Sequence, residues 1–245
     1  MACVPAGERP LYIEMIGPSG VGKSSVLRLV ADGLPGRVVY FRSGFRKRQW
    51  QNLGNSLLSW RRARRLIEFY RYLCQKGVPG NLALRRAAAV TGMAADRSLA
   101  GKGNAVLLVE EGPVLYLSSC GGFGDAWKDW LHLFLPDDPK VQTFFVLLKA
   151  SPEELERRRR RRGRPVKIRQ SPKGTEGITP ELQAQAGCYW VPHLAAAGAH
   201  CIEVDTEDRS VEEVAQAILT FIQSPMPEMA PVDPDPAPQW LPIGV

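Results

Sequence analysis

A chain of 245 residues, 44% hydrophobic and 23% charged, is long enough to bury a sizeable core and reads as one large α/β domain rather than two small ones. Its five cysteines (Cys3, Cys74, Cys120, Cys188 and Cys201) are scattered without a CxxC pair, which argues against both a zinc site and a disulfide framework. The net charge of +7 invites a nucleic-acid reading, but Arg157 to Arg162 alone supply six positive charges, so one local cluster explains the excess better than a general DNA-binding surface.

The opening MACVPAGERP contains no apolar leader core, and no later run approaches the roughly 18 apolar residues a membrane span requires. The expectation is a cytoplasmic protein with no membrane partner. Leu11 to Ile16 is short, apolar and bounded by glycine, which suits a buried parallel strand feeding a helix over about 22 to 33. Val38 to Phe41, Ala105 to Val109, Val141 to Leu148 and Cys201 to Val204 are further buried-strand candidates, separated by stretches long enough for crossover helices. That alternation predicts a parallel sheet with helices on both faces.

Between the second and third strands lies a basic insertion. Leu57, Trp60, Ala63, Ile67, Tyr70 and Cys74 recur there at helical spacing, predicting helices over about 55 to 76 and 81 to 101. The stripe serves a monomer core or a homodimer equally well. Trp127, Trp130 and Phe134 read as one core helix face, and Cys120 to Gly124 as a glycine-rich loop with no strand before it. Ser151-Pro-Glu-Glu154 and Ser210-Val-Glu-Glu213 each match a capping box and mark helix starts just after a strand. From Ser224 onward closely spaced prolines disfavour helix and sheet, so residues 1–223 form the domain and 224–245 a flexible tail. His132, His193 and His200 show no metal-ligand spacing.

Gly17-Pro-Ser-Gly-Val-Gly-Lys-Ser24 matches G-x-x-x-x-G-K-[ST] in the required context of strand, turn and helix. Glycines let the backbone curl so that successive amides point at phosphate oxygens, while the helix start adds a dipole favourable to an anion. Gly17, Ser19, Gly20, Val21, Gly22, Lys23, Ser24 and Ser25 are thus the candidate ATP-binding residues, with Lys23 reaching the β- and γ-phosphates. Ser24 offers a hydroxyl oxygen to Mg²⁺, a small cation that prefers oxygen ligands.

The apolar run Val106 to Val109 ends in Glu110 and Glu111, the acid-ended strand such a site needs. Adjacent side chains on a strand face opposite ways, so Glu110 is assigned to the metal and Glu111 to the acceptor hydroxyl as general base. The arginine run begins as a capped helix and stops at Gly163. Arg158 and Arg162, four apart, together with Arg164, can close over transferring phosphates as a lid.

GPSGVGKSS, an acid-ended strand, LERRRRRRGRP and VDTEDRSVEEVAQAIL occur in an order that resembles thymidylate kinases and deoxynucleoside kinases. The resemblance covers nearly everything before the tail. Arg162-Gly-Arg164 with Glu176 to Leu182 and Tyr189-Trp190 looks like the lid and following helix of deoxynucleoside kinases, and Ala94-Ala-Asp-Arg97 looks like thymidylate kinases. It implies a three-layer P-loop kinase fold: a five-stranded parallel sheet in order 2-3-1-4-5, with a lid and the acceptor under the helical insertion. It also implies that Arg42 and Arg97 contact the acceptor, that Asp205 to Ser210 lie near adenine, and that relatives pair through helices flanking strand three.

Where the family carries Asp-Arg-Tyr or Glu-Arg-Ser, this chain has Glu110-Glu-Gly-Pro113 and lacks the arginine. A second acid there repels an acceptor monophosphate and favours a neutral hydroxyl such as a nucleoside or sugar. The expected function is transfer of the γ-phosphate of Mg-ATP to a small-molecule acceptor, with a nucleotide-binding regulatory or sensor module as the alternative.

Overall fold

The computed structural model describes residues 9–34, 38–42, 60–75, 77–88, 90, 105–110, 112, 114, 141–163 and 180–224. Its strands are β1 (Leu11–Ile16), β2 (Val38–Arg42), β3 (Ala105–Val109), β4 (Gln142–Lys149) and β5 (His200–Asp205). The helices are α1 (Lys23–Asp32), α2 (Trp60–Gln75), α3 (80–88), α4 (Pro152–Arg161), α5 (Pro180–Ala196) and α6 (Val211–Gln223).

All strand pairs are parallel, in the spatial order β2-β3-β1-β4-β5. The five-stranded expectation is narrowed in one respect. The sheet described down to its side chains has four strands, β3-β1-β4-β5, and β2 is described by its backbone pairing along the outer side of β3 alone. The central strand β1 is flanked by β3 and β4, so the loops leaving the carboxyl ends of these three strands converge, where ligands bind in open parallel sheets.

Why these segments are near-continuous apolar runs follows from burial on both sides. Leu11, Ile13 and Met15 point into a core with Val26, Leu27 and Val30 of α1 and Val214, Ile218 and Ile222 of α6. Tyr12 and Ile16 point to the opposite face, against Leu66, Phe69 and Leu73 of α2 and Trp190 and Leu194 of α5. The two helix layers are pressed closely onto their neighbours: a Cβ on Gly33 would lie 2.3 Å from Leu219, and one on Gly187 2.3 Å from Leu147.

Several local expectations need correction. The α2 stripe is rotated from the one read in the sequence: Leu66, Phe69 and Leu73 are buried, whereas Trp60 is 80% and Ile67 44% exposed. Apolar residues occupy more than half the circumference of this helix, so periodicity alone does not choose between two adjacent faces. The insertion helices are described over 60–75 and 80–88; residues 55–59, 76, 89 and 91–101 of the expected spans lie outside the described residues. So do Cys120 to Gly124, Trp127, Trp130, Phe134 and the tail beyond Ser224.

The capping box at Ser210 is complete, with Glu213 N donating to Ser210 Oγ at 3.1 Å and Ser210 N to Glu213 Oε2 at 2.7 Å. At Ser151 only half of the box forms. Glu154 N donates to Ser151 Oγ at 3.2 Å, but the Glu154 carboxylate turns to Arg157 and Arg158. Glu207 takes its place, accepting from Ser151 N at 3.3 Å and from Ser151 Oγ at 2.5 Å. A tertiary contact thus caps α4 and ties its start to the turn after β5. Among the described residues, no helix is long and apolar enough to cross a membrane.

Candidate active site

The loop between β1 and α1 is built on glycines with positive φ. Gly17 (φ 146°) leaves β1 so close to β4 that a Cβ would lie 2.5 Å from the backbone carbonyl oxygen of Leu148. Only glycine permits both that torsion and that approach. Gly22 (φ 109°) is the N-cap of α1 in the left-handed region, without a side-chain cap bond, and no acid occupies the first turn. The leading end of α1 therefore offers its amides and dipole to an anion rather than to its own side chains.

Lys23 Nζ lies across this loop, donating to the carbonyls of Gly17 at 2.7 Å and Pro18 at 3.0 Å. Val21 is buried and fixes the loop from beneath, whereas Ser19, Ser24 and Ser25 are exposed. The Ser24 hydroxyl donates to Glu110 Oε1, which joins the start of α1 to the end of β3 across 86 residues of sequence. Two hard oxygens in contact beside a phosphate-binding turn fit a Mg²⁺ site in which phosphate oxygens and waters complete the shell. Among the described residues no group of three or more His, Cys, Asp or Glu could hold a metal by itself. A site completed by the nucleotide has no need of one.

On the opposite flank, α4 brings arginines to the loop. Arg158 donates through Nε to Glu154 Oε1 at 2.7 Å, through Nη1 to Val21 O at 3.2 Å and Thr206 Oγ1 at 3.0 Å, and through Nη2 to Thr206 O at 2.6 Å. It is thereby a clamp joining α4, the underside of the phosphate loop and the turn after β5. Thr206, itself buried, donates a hydrogen bond from its hydroxyl to Lys149 O at 3.0 Å. The Arg157 and Arg158 guanidiniums, hydrogen-bonded to Glu154, hold its carboxyl far below the ordinary value, at about 2.

Arg159, not singled out in the sequence, reaches over the loop: Nε and Nη2 donate to Ser19 O at 3.3 and 3.1 Å. Its side chain is 14% exposed, against 78% for Arg160. Arg162 is the exposed C-cap of α4, so Arg158 and Arg162 do not share one environment although they lie four apart. A run of six identical residues gives no signal of which one faces the loop; the rotation of α4 is set by Leu155 and Glu154, its two buried residues. Arg97, Glu111 and Arg164 lie outside the described residues, and Arg42 is described only as the last backbone position of β2.

Glu14 was also missed. It is fully buried on β1, beneath the segment that carries Glu110, and an acid inside an apolar strand was the available signal.

No family model matches the chain, and no curated protein matches its sequence. Among solved structures it is similar to shikimate kinase from Acinetobacter baumannii in complex with shikimate, at 17% identity over 86% of this chain and 92% of that one, TM-score 0.40. Shikimate kinase from Bacteroides thetaiotaomicron gives 17% identity over 86% and 98%, TM-score 0.39. EHV4-TK complexed with TP5A gives 13% identity over 88% and 91%, TM-score 0.42. Likeness this distant carries no argument about activity. The P-loop kinase-like character of the fold rests on the chain's own sheet order and on the phosphate loop at the end of β1.

Proposed function

We propose that this chain is a Mg-ATP-dependent phosphotransferase acting on a small-molecule hydroxyl, of a nucleoside, nucleotide or sugar-like compound. The observation that carries the reading is the contact between the Ser24 hydroxyl and Glu110 at the mouth of the Gly17–Ser24 loop. It joins the two halves of a metal–phosphate site that are far apart in sequence.

ATP supplies the transferred phosphoryl group, and Mg²⁺, when bound, would supply charge neutralisation at its oxygens. Amides of the Gly17–Ser25 turn bind the phosphates, and Lys23 exchanges its two loop carbonyls for β- and γ-oxygens. Ser24 and Glu110 hold the metal. Glu111 accepts the proton of the acceptor hydroxyl as its oxygen bonds to phosphorus and ADP leaves with the cleaved bridging oxygen. Arg159, with Arg162 and Arg164, places positive charge over the transferring group, where a planar guanidinium spreads charge across equatorial oxygens. Arg42 and Arg97 are assigned to binding the acceptor in this reading. With two adjacent acids at the strand end, a neutral hydroxyl is preferred to an acceptor already bearing phosphate.

The test is ADP release by purified protein with Mg²⁺-ATP against nucleosides, nucleoside monophosphates and sugars, with Lys23→Ala as control. Acceptor-dependent release that Lys23→Ala abolishes is the expected result. ATP binding without release for any acceptor, cell extract included, would overturn the reading in favour of a nucleotide-sensing module.

A further inference from the structure

We infer that Glu14 is a positioning residue for Glu110, setting the metal-side carboxylate by gripping the backbone that follows it. The inference rests on the proposed role of Glu110 at a Mg²⁺ site.

Glu14 is 0% exposed in the central strand of the sheet. At such a position an apolar side chain packs without cost, whereas a carboxyl group is costly to bury unless its oxygens are partnered. Both are. Oε2 accepts from Tyr12 OH at 2.7 Å, and Oε1 accepts from the backbone N–H of Val114 at 3.1 Å.

The ladder between β1 and β3 sets Glu14 directly beside Val109, the residue before Glu110. Three residues later the chain crosses back over the carboxyl group. At Gly112 it comes so close that a Cβ would lie 2.1 Å from Glu14 Cδ and 2.2 Å from Oε1.

The segment from Val109 to Val114 is therefore held at three places: by the ladder at Val109, by Ser24 at Glu110, and by Glu14 at Gly112 and Val114. Remove the third and the turn is free to pivot about the end of β3, carrying Glu110 away from Ser24. The same contact accounts for glycine at position 112, since any Cβ there would displace the carboxyl group. Partners that orient a ligating carboxylate from behind typically contribute about 10–100-fold to metal affinity.

The experiment is calorimetric titration of the full chain with ATP, once with Mg²⁺ and once with EDTA, which reads metal positioning without requiring turnover. Glu14→Ala is expected to lose about tenfold of the Mg²⁺-dependent gain in ATP affinity while keeping the metal-free affinity set by the phosphate loop. Glu14→Gln, whose amide oxygen accepts from Val114 N–H and whose amide N–H₂ donates to the phenolic Oη of Tyr12, should retain the gain. Gly112→Ala, which displaces the carboxyl group without removing it, should lose the gain as Glu14→Ala does, and it decides the matter if Glu14→Ala does not fold.

Equal loss with and without Mg²⁺ would make Glu14 merely structural and overturn the inference. So would an unchanged gain in Gly112→Ala, a lost gain in Glu14→Gln, or no gain in the wild-type protein. Failure of the phosphotransfer reading is separate, because it appears as absent ADP release with the binding results intact.

Discussion

Replacing Arg158 by lysine keeps the charge and most of the aliphatic stem but removes the planar fork. Arg158 reaches Val21 O, Thr206 Oγ1 and Thr206 O through two different nitrogens while a third holds Glu154. An ammonium group is a single point and cannot span acceptors on three elements. We expect it to stay with Glu154 and to abandon at least two of the other three acceptors. With the side chain 21% exposed, water rescues little of the loss. At a net ~1–1.5 kcal/mol for each hydrogen bond, the variant should be destabilised by about 2–3 kcal/mol. For a domain of this size that corresponds to a fall in Tm of about 4–12 °C. Differential scanning fluorimetry measures it, with Arg160→Lys as the matched control, since that side chain is 78% exposed and pairs, among the described residues, with Glu156. If Arg158→Lys melts within a degree of wild type, Arg158 is not a clamp and its place among the phosphate-facing arginines is restored. If both variants fall equally, general helix charge rather than this geometry is responsible.

Gly17→Ala should cost roughly 2–5 kcal/mol, combining a strained positive φ with a contact to a central-strand carbonyl that cannot retreat; urea midpoints with an unchanged slope would confirm it. The Glu154 carboxyl predicts acid sensitivity of a definite sign. Its folded value is about 2 against an ordinary 4.5, so its stabilisation is complete above 4.5 and is lost as pH falls from there toward 2. The Tm gap between wild type and Glu154→Gln should therefore close over that window, and a gap unchanged between pH 5 and pH 3 would contradict the assignment. Arg159→Ala should lower turnover about 10²-fold or more with little change in Tm, because the guanidinium meets the loop only at Ser19 O; equal activity in single-turnover measurements would remove it from the site.

Much of the fold was legible because burial on two faces writes itself into a strand as an unbroken apolar run. Leu11–Ile16 and Ala105–Val109 are delimited to the residue for that reason, and β4 and β5 to within one residue at each end. The phosphate loop was legible because its glycines answer to backbone demands that no other residue meets. The face of α2 was not, since Leu66, Ile67, Phe69, Tyr70 and Leu73 offer two apolar stripes and only the facing helices select one. Within the arginine run the sequence is uniform, and the distinction between Arg158 below the loop and Arg159 above it comes from the rotation of α4. Glu207 as the cap partner of Ser151 was equally hidden, because the local box supplied a complete alternative in Glu154.

That substitution at the α4 cap bears on how the site is held together. Had Glu154 closed its own capping box, Arg158 would have lost the acceptor that orients its Nε, and Thr206 and Val21 would face an unfixed guanidinium. By releasing Glu154, Glu207 makes a network in which the turn after β5 holds α4 twice, at Ser151 through Glu207 and at Arg158 through Thr206. The loop after β1 is in turn gripped from α4 by Arg158 and Arg159, while Ser24 at the start of α1 ties it to Glu110 at the end of β3. Phosphate chemistry depends on positioning more than on reactive groups. In this chain the positioning is supplied by neighbours on both sides of the central strand, with the phosphate loop between them.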